Sequence, residues 1–422
     1  MKNSRRNKQL KMILLVVLAL VMSVSMAGCT SFDNFKMTFI DKSADKDSET
    51  IYIGVFEPQT GDLEDKGKDI IKGIELAHSM YDNVAGADVK LVYVDTQSST
   101  DTARTAIKSL IKLKPSVIIG GAGEANSMIA GPYIKEARIP TITPSATNPL
   151  ITEGNPYYFR VCMTSYQTGA GMADYAVNQN GLGSKSIGLV SVENDSSVAA
   201  AVKGFTEKTD QLDGDDHYIV MNTTISAAKP KLNKLMEKIK KSGVDAVYLP
   251  VGTEMADRVF SKAEKMGMTN ITFLGTRGWT SSDFVDMMKK HPDIKVAFPS
   301  DTVVQANGST TGTVTAETQK FLIEYANKYG DKDIPTEEAA EGYDAYLLAM
   351  NAINSSRSLK TTDIRDSLAS IDNVRCATGV FTFDENGNPV RSVNVSKIKN
   401  GQIVSAYVTD TTTKAKNIKK LG

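Results

Sequence analysis

From Ile51 onward the chain alternates short apolar runs with longer stretches in which apolar residues return every third or fourth position. Ile51–Phe56 (IYIGVF) is β-branched and apolar throughout, as a strand buried on both faces must be. A loop follows at Glu57–Lys66, carrying the turn formers Pro58 and Gly61. Ile70, Ile74, Ala77 and Tyr81 then fall on one face of an amphipathic helix. Val89–Val94 reads as a second strand, Thr102–Leu113 as a helix stopped before Pro115, and Val117–Ile119 as a third strand. Ala125–Ala137 is the next helix and Thr141–Thr143 the next strand. Strands and helices in strict alternation predict a doubly wound parallel sheet.

A second series starts near Val161. Its strands are Ile187–Val192, Tyr218–Met221, Ala246–Leu249, Ile271–Leu274 and Val296–Phe298. Its helices are Val198–Thr209, Lys231–Ser242, Glu254–Met266 and Ser282–Lys290. After Pro299 come a Gly/Thr/Ser-rich loop (Asn307–Thr313) and helices over Val314–Tyr329, Glu337–Asn354 and Thr362–Leu368. Extended segments Val380–Phe383, Val393–Ile398 and Ile403–Val408 close the chain. Too little strand remains for a third α/β domain, so these pieces complete the first two. The expected organisation is one lobe from 50–160 and 300–378, another from 161–299 and 379–410, and a tail at 411–422.

At 422 residues the chain is long enough for two such cores after an export segment. Lys2, Arg5, Arg6, Lys8 and Lys11 precede an apolar run, Met12–Met26, too short for a comfortable bilayer span. The run ends in Met26-Ala27-Gly28-Cys29, which resembles the lipobox of a bacterial lipoprotein signal, with Met26 where leucine is usual. The resemblance implies a signal peptide over 1–28, a diacylglycerol on Cys29, and a protein held on the extracytoplasmic face of the cell membrane. Residues 29–49 end in a polar, charged run and read as a tether with a reach of roughly 25 Å.

The chain carries 49 basic and 49 acidic residues, a balance that points to no nucleic-acid partner. His78, His217 and His291 lie far apart, without metal-ligand spacing. Cys162 and Cys376 form either a bridge, as an oxidising compartment allows, or two separate buried thiols. Gly121-Ala122-Gly123-x-x-Asn126 lacks the third glycine of a dinucleotide fingerprint, and the next strand ends in Thr143-Pro144-Ser145 without an acidic ribose-binding residue. No Gly-x-Ser-x-Gly elbow or Cys-His pairing appears, so neither an enzyme nor a cofactor is expected.

Several motifs occur in a telling order. They are Pro58-Gln59-Thr60-Gly61, then Gly67 and Gly73 six residues apart, the stretch Val117–Thr152, Tyr158-Phe159-Arg160, Glu341-Gly342-Tyr343-Asp344-Ala345, and Gly379 through Gly387. Together they resemble the type I periplasmic binding proteins, in particular the leucine/isoleucine/valine-binding receptors of ABC transporters. That resemblance implies two Rossmann-like lobes joined by three hinge crossovers. It implies a monomer that closes on an amino-acid-like solute and presents it to a permease. A regulatory envelope lipoprotein of the same fold, binding a partner protein instead, is the competing reading.

Ligands of open α/β sheets bind beyond the carboxyl ends of the strands. Here the loops at those ends, read beside the resemblance, offer Lys66, Glu124, Ser145, Thr147, Asp195, Ser196, Thr253 and Arg277 as solute contacts. Glu124 stands where amino-acid binders place a serine against the ligand carboxylate, and Arg277 where they place an acid for the ammonium. A carboxylate 4 Å from Glu124 would be repelled by about 4 kcal/mol at an effective dielectric near 20. Two arrangements therefore stay open: an acidic or strongly polar solute bridging Lys66 and Arg277 with Glu124 taking a donor hydrogen, or Glu124 and Arg277 paired with each other. Trp279, at a strand end, serves either to stack on the solute or as a core anchor. Tyr343 reads as structural.

Overall fold

The computed structural model describes residues 50–212, 217–300 and 314–409, together with the backbone of 303–304 and 310–311. The expected signal peptide, Cys29, the tether, the tail at 411–422 and most of the 307–313 loop lie outside the described residues. No helix of the described residues is long and apolar enough to cross a membrane.

The first strands and helices are β1 (Ile51–Glu57), α1 (Glu64–Met80), β2 (Asn83–Val84), β3 (Ala87–Asp95), α2 (Thr100–Lys112), β4 (Val117–Gly120), α3 (Glu124–Ala137), β5 (Thr141–Thr143) and β6 (Tyr158–Arg160). Contacts divide the chain into two units. The described part of the smaller one is a hairpin in which Asn83 pairs with Asp88 and Val84 with Ala87. The larger unit, residues 51–82 and 90 onward, carries both sheets and the cleft. In its first sheet the strands run β3-β1-β4-β5-β6, with β1, β4, β5 and β6 mutually parallel. Phe56, Ile107, Leu110, Ile118 and Ile134 fill the space between this sheet and its helices.

The second sheet belongs to β7 (Ile187–Val192), β8 (Ile219–Ile225), β9 (Ala246–Tyr248), β10 (Thr272–Leu274) and β11 (Lys295–Ser300). Helices α4 (Ser165–Val177), α5 (Ser196–Leu212), α6 (Leu232–Ser242), α7 (Thr253–Lys265) and α8 (Ser282–Met288) accompany it, with a 3-10 turn at Arg277–Thr280. The chain continues through β12 (Val303–Val304), β13 (Thr310–Thr311), α9 (Ala316–Tyr329), α10 (Glu337–Ser356), α11 (Thr361–Ala369), β14 (Val374–Cys376) and β15 (Gly379–Phe381). It ends in β16 (Asn394–Lys399) and β17 (Gln402–Val408), which join the second sheet beside β11 in the order β17-β16-β11-β10-β9-β7-β8. The core strands of this sheet are parallel and the two late additions antiparallel. The late helices α9 and α10 pack on α1, at the first sheet. Three crossovers therefore connect the lobes: after β6, after β11 and after β15.

Helix α4 has no counterpart in the apolar periodicity, because its sequence, SYQTGAGMADYAV, is rich in small residues and only weakly amphipathic. It begins at a capping box in which the Thr164 hydroxyl accepts from the Gln167 backbone and the Gln167 side chain accepts from Thr164. Its small residues let α5 lie against it at close range. The paired glycines of α1 have a similar cause. A Cβ at Gly73 would overlap the Ala339 carbonyl oxygen on α10, and one at Gly67 would overlap that of Pro58. We expect Gly73→Ala to lower stability by about 1–3 kcal/mol, as overpacking does, visible as an earlier urea midpoint with unchanged slope.

Cys162 and Cys376 are two free, buried thiols, which corrects the bridged alternative. Cys162 lies in the first crossover, where its Sγ donates to the Ala146 carbonyl at 3.3 Å. Burial pushes its thiol up to about 12 and that of Cys376 well above the ordinary range, so both are held protonated and poorly reactive. Trp279 takes the core alternative. It is fully buried, stacked on Phe284 at 4.6 Å, and its Nε1 donates to the Val251 carbonyl at 2.8 Å. Tyr343 is likewise interior, its hydroxyl donating to buried Glu317 at 2.5 Å.

Candidate functional site

The carboxyl ends of both parallel sheets face a cavity of about 910 Å³. Lys66 from α1, Glu124 from the first turn of α3, Ser145 and Thr147 from the loop after β5, and Arg277 from the turn after β10 all line it. Five residues named from the sequence thus meet in one place. The other three sit elsewhere. Asp195 accepts from the Val198 amide at 2.9 Å and caps α5; Ser196 accepts from Asn148 Nδ2 at 2.7 Å; Thr253 opens α7. At that corner the lining residues are instead Ser197 and Val198.

The loop that carries Ser145 and Thr147 is held from both sides by charge. Glu124 Oε1 accepts from the Thr147 amide at 2.8 Å and its hydroxyl at 2.9 Å, while Oε2 accepts from the Asn148 amide at 2.9 Å. On the opposite side the fully buried Arg160 donates to the carbonyls of Ala146 at 2.7 Å and Asn148 at 2.8 Å. Peptide N–H and C=O groups that burial would otherwise leave without partners are both met. Burial lowers the Arg160 pKa, opposed by charges that include Glu124.

Hydroxyl protons here have fixed directions. Thr147 gives its single proton to Glu124, so the 2.9 Å contact between Thr147 Oγ1 and Ser165 Oγ must be a bond donated by Ser165. Ser145 is different. The residue lines the cavity and is 98% buried, and its Oγ, withdrawn from solvent, makes no hydrogen bond among the described residues.

Two basic residues of the cleft, Lys66 and Arg277, have carboxylate partners on α10. Lys66 Nζ lies 3.7 Å from Glu338. Arg277 forms a two-pronged pair with Glu341, Nη1 to Oε1 and Nη2 to Oε2 at 3.2 Å, and Nη1 lies 3.8 Å from Glu337. Burial works against ionisation of Glu338, but Lys66 and Arg277 outweigh it and hold its carboxyl below the usual range. The sequence offered Arg277 either a solute or Glu124; the fold gives it carboxylates from the other lobe. An acidic solute bridging Lys66 and Arg277 would have to displace them.

Sequence reasoning missed Ser165, Asp65, Asp69, Glu337 and Glu338, all of which line the cavity. A signal existed for Ser165 in the Thr-x-x-Gln capping box at 164–167. The acids of α10 fall in the first turn of a helix that the periodicity does predict. What the periodicity lacks is the direction of that helix end.

A family model described as periplasmic binding protein matches residues 50–402. A Leu/Ile/Val-binding protein homologue of Brucella suis is 24% identical over 220 residues, 51% of this chain and 54% of that protein. The match therefore spans about half the length of that curated relative. Among solved structures, a leucine-binding protein from Thermotoga maritima has a TM-score of 0.73 and 26% identity, covering 86% of this chain and 99% of that one. A branched-chain amino acid transporter substrate-binding protein from Streptococcus pneumoniae, in complex with isoleucine, has a TM-score of 0.70 and 25% identity over 86% and 99% of the two chains.

Proposed function

The chain belongs to the periplasmic binding protein family, and on that premise we propose that it is the extracytoplasmic solute-binding component of an ABC transporter. It takes a small, polar, amino-acid-like solute into the cleft between its lobes and presents it to a permease. It works by binding and conformational change, not by catalysis. Cys29 carries the lipid that holds it to the membrane. The observation that carries this reading is the cavity built from the strand ends of both sheets, lined by Lys66, Glu124, Ser145, Thr147 and Arg277.

The physical basis is differential affinity. A solute that touches both lobes stabilises the closed arrangement by the contacts it makes only there. The leucine and isoleucine in the names of the solved relatives make amino acids and related small acids and amides the first candidates.

A thermal-shift screen of such solutes tests the reading. A true ligand at a hundredfold excess over its dissociation constant is expected to add about 2.7 kcal/mol of stability. A protein whose stability no small solute changes would instead be a partner-binding lipoprotein of the same fold. Anchoring is separately testable: incorporation of labelled fatty acid is expected in the parent and lost in Cys29→Ser.

A further inference from the structure

We propose that the solute is a net cation that docks an ammonium or guanidinium group on the wall formed by Glu124, Ser145 and Ser165. This rests on the solute-receptor reading above and narrows the solute class it leaves open.

Glu124, a residue of the lining, offers only acceptors, and the three N–H and O–H groups that reach it leave it capacity for one more donor. Ser165 has spent its proton on Thr147, so its oxygen also only accepts. Ser145 Oγ, buried and without a partner among the described residues, can accept as well, and of the Ser145, Thr147 and Ser165 hydroxyls it alone has a proton still to give. A wall of this kind pairs with N–H groups. A solute carboxylate would find one donor and a carboxylate of its own sign.

Charge points the same way. Asp286 and Lys289 pair with each other at the rim. Of the remaining charged groups at the cleft, Asp65, Asp69, Glu124, Glu337, Glu338 and Glu341 outnumber Lys66 and Arg277, even after Arg160 behind the loop is added. Lys72, beside Asp69, is shared with Asp333 at 2.8 Å. In a partly dry cleft this acidic excess attracts a cation and repels an anion.

Isothermal titration of the purified full chain with agmatine, putrescine and arginine, against leucine and glutamate, tests the inference. At least one cation is expected to bind more tightly than leucine and glutamate, and to weaken as salt rises from 0.05 to 0.5 M. Glu124→Gln is expected to weaken that cation about tenfold or more. Because Glu124 also holds the Ser145–Asn148 loop, Ser145→Ala provides the independent variant. Its hydroxyl has no partner among the described residues, so the unliganded melting temperature should stay put while affinity falls about three- to tenfold. Leucine or glutamate binding while every cation fails would overturn the inference and leave the receptor reading standing. So would cation binding that neither variant weakens. If no member of the panel binds, both readings fall.

Discussion

Replacing Arg277 by methionine is expected to cost about 3–5 kcal/mol, seen as an earlier urea midpoint or as a larger radius of gyration in solution scattering. Arg277 belongs to the second lobe and its partner Glu341 to α10, which packs on the first. The pair is almost fully removed from water, with the arginine side chain 10% exposed and Glu341 fully buried. Removing the guanidinium leaves Glu341 and Glu337 buried without their counter-charge, which costs far more than the intact pair is worth. Replacing both partners by apolar residues, Arg277→Met with Glu341→Leu, removes the isolated charge. The double variant is expected to recover most of the loss. A single variant within about 1 kcal/mol of the parent would mean the pair does not hold the lobes together.

The second large effect is a pH dependence of unusual sign. Glu57 ends β1 in full burial, one oxygen accepting from the Ala122 amide at 2.9 Å and the other without a hydrogen-bond partner among the described residues. Desolvation raises its pKa from 4.5 to about 8, against the Ala122 bond and the field of Lys66. The native state therefore holds a proton that the unfolded chain releases near pH 4.5. Stability from this group is fully present below that pH and is lost as pH rises toward 8, at about 1.4 kcal/mol per unit and about 5 kcal/mol in all. Asp344, buried and raised to about 7 chiefly by desolvation, adds in the same direction over a narrower window. Glu57→Gln keeps a neutral side chain of the same shape and has nothing to titrate. Subtracting its stability profile from the parent's between pH 5 and 8 is expected to give a line that falls with pH. A flat difference would mean that Glu57 is ionised in the native protein.

Much of the architecture could be read before any coordinates, because apolar period is a local property. Buried parallel strands such as Val117–Gly120 carry it along their whole length, and α7 carries it as a stripe of Ala256, Val259, Phe260 and Ala263. Helix α4 escaped because close packing selects small residues, which weakens the apolar stripe that marks other helices. The candidate cleft was half legible. Lys66, Glu124, Ser145, Thr147 and Arg277 follow from strand ends, since a strand fixes where its next loop emerges. Asp195 and Ser196 lie within two residues of the lining and Thr253 three from it; Asp195 turns back to cap its own helix, while Ser196 faces Asn148.

By itself the sequence determined the alternation of strand and helix, the two series, the loops that face a cleft, and the presence of Glu124 and Arg277 at unusual places. Only the tertiary structure decided the partners: Glu341 for Arg277, the 147–148 amides for Glu124, none among the described residues for the Ser145 hydroxyl, and separate thiols for Cys162 and Cys376. The reason is physical. Period and turn chemistry act over a few neighbouring residues, whereas a buried charge is satisfied by whatever group the packing brings within 3 Å, here from a helix 64 residues away in the chain.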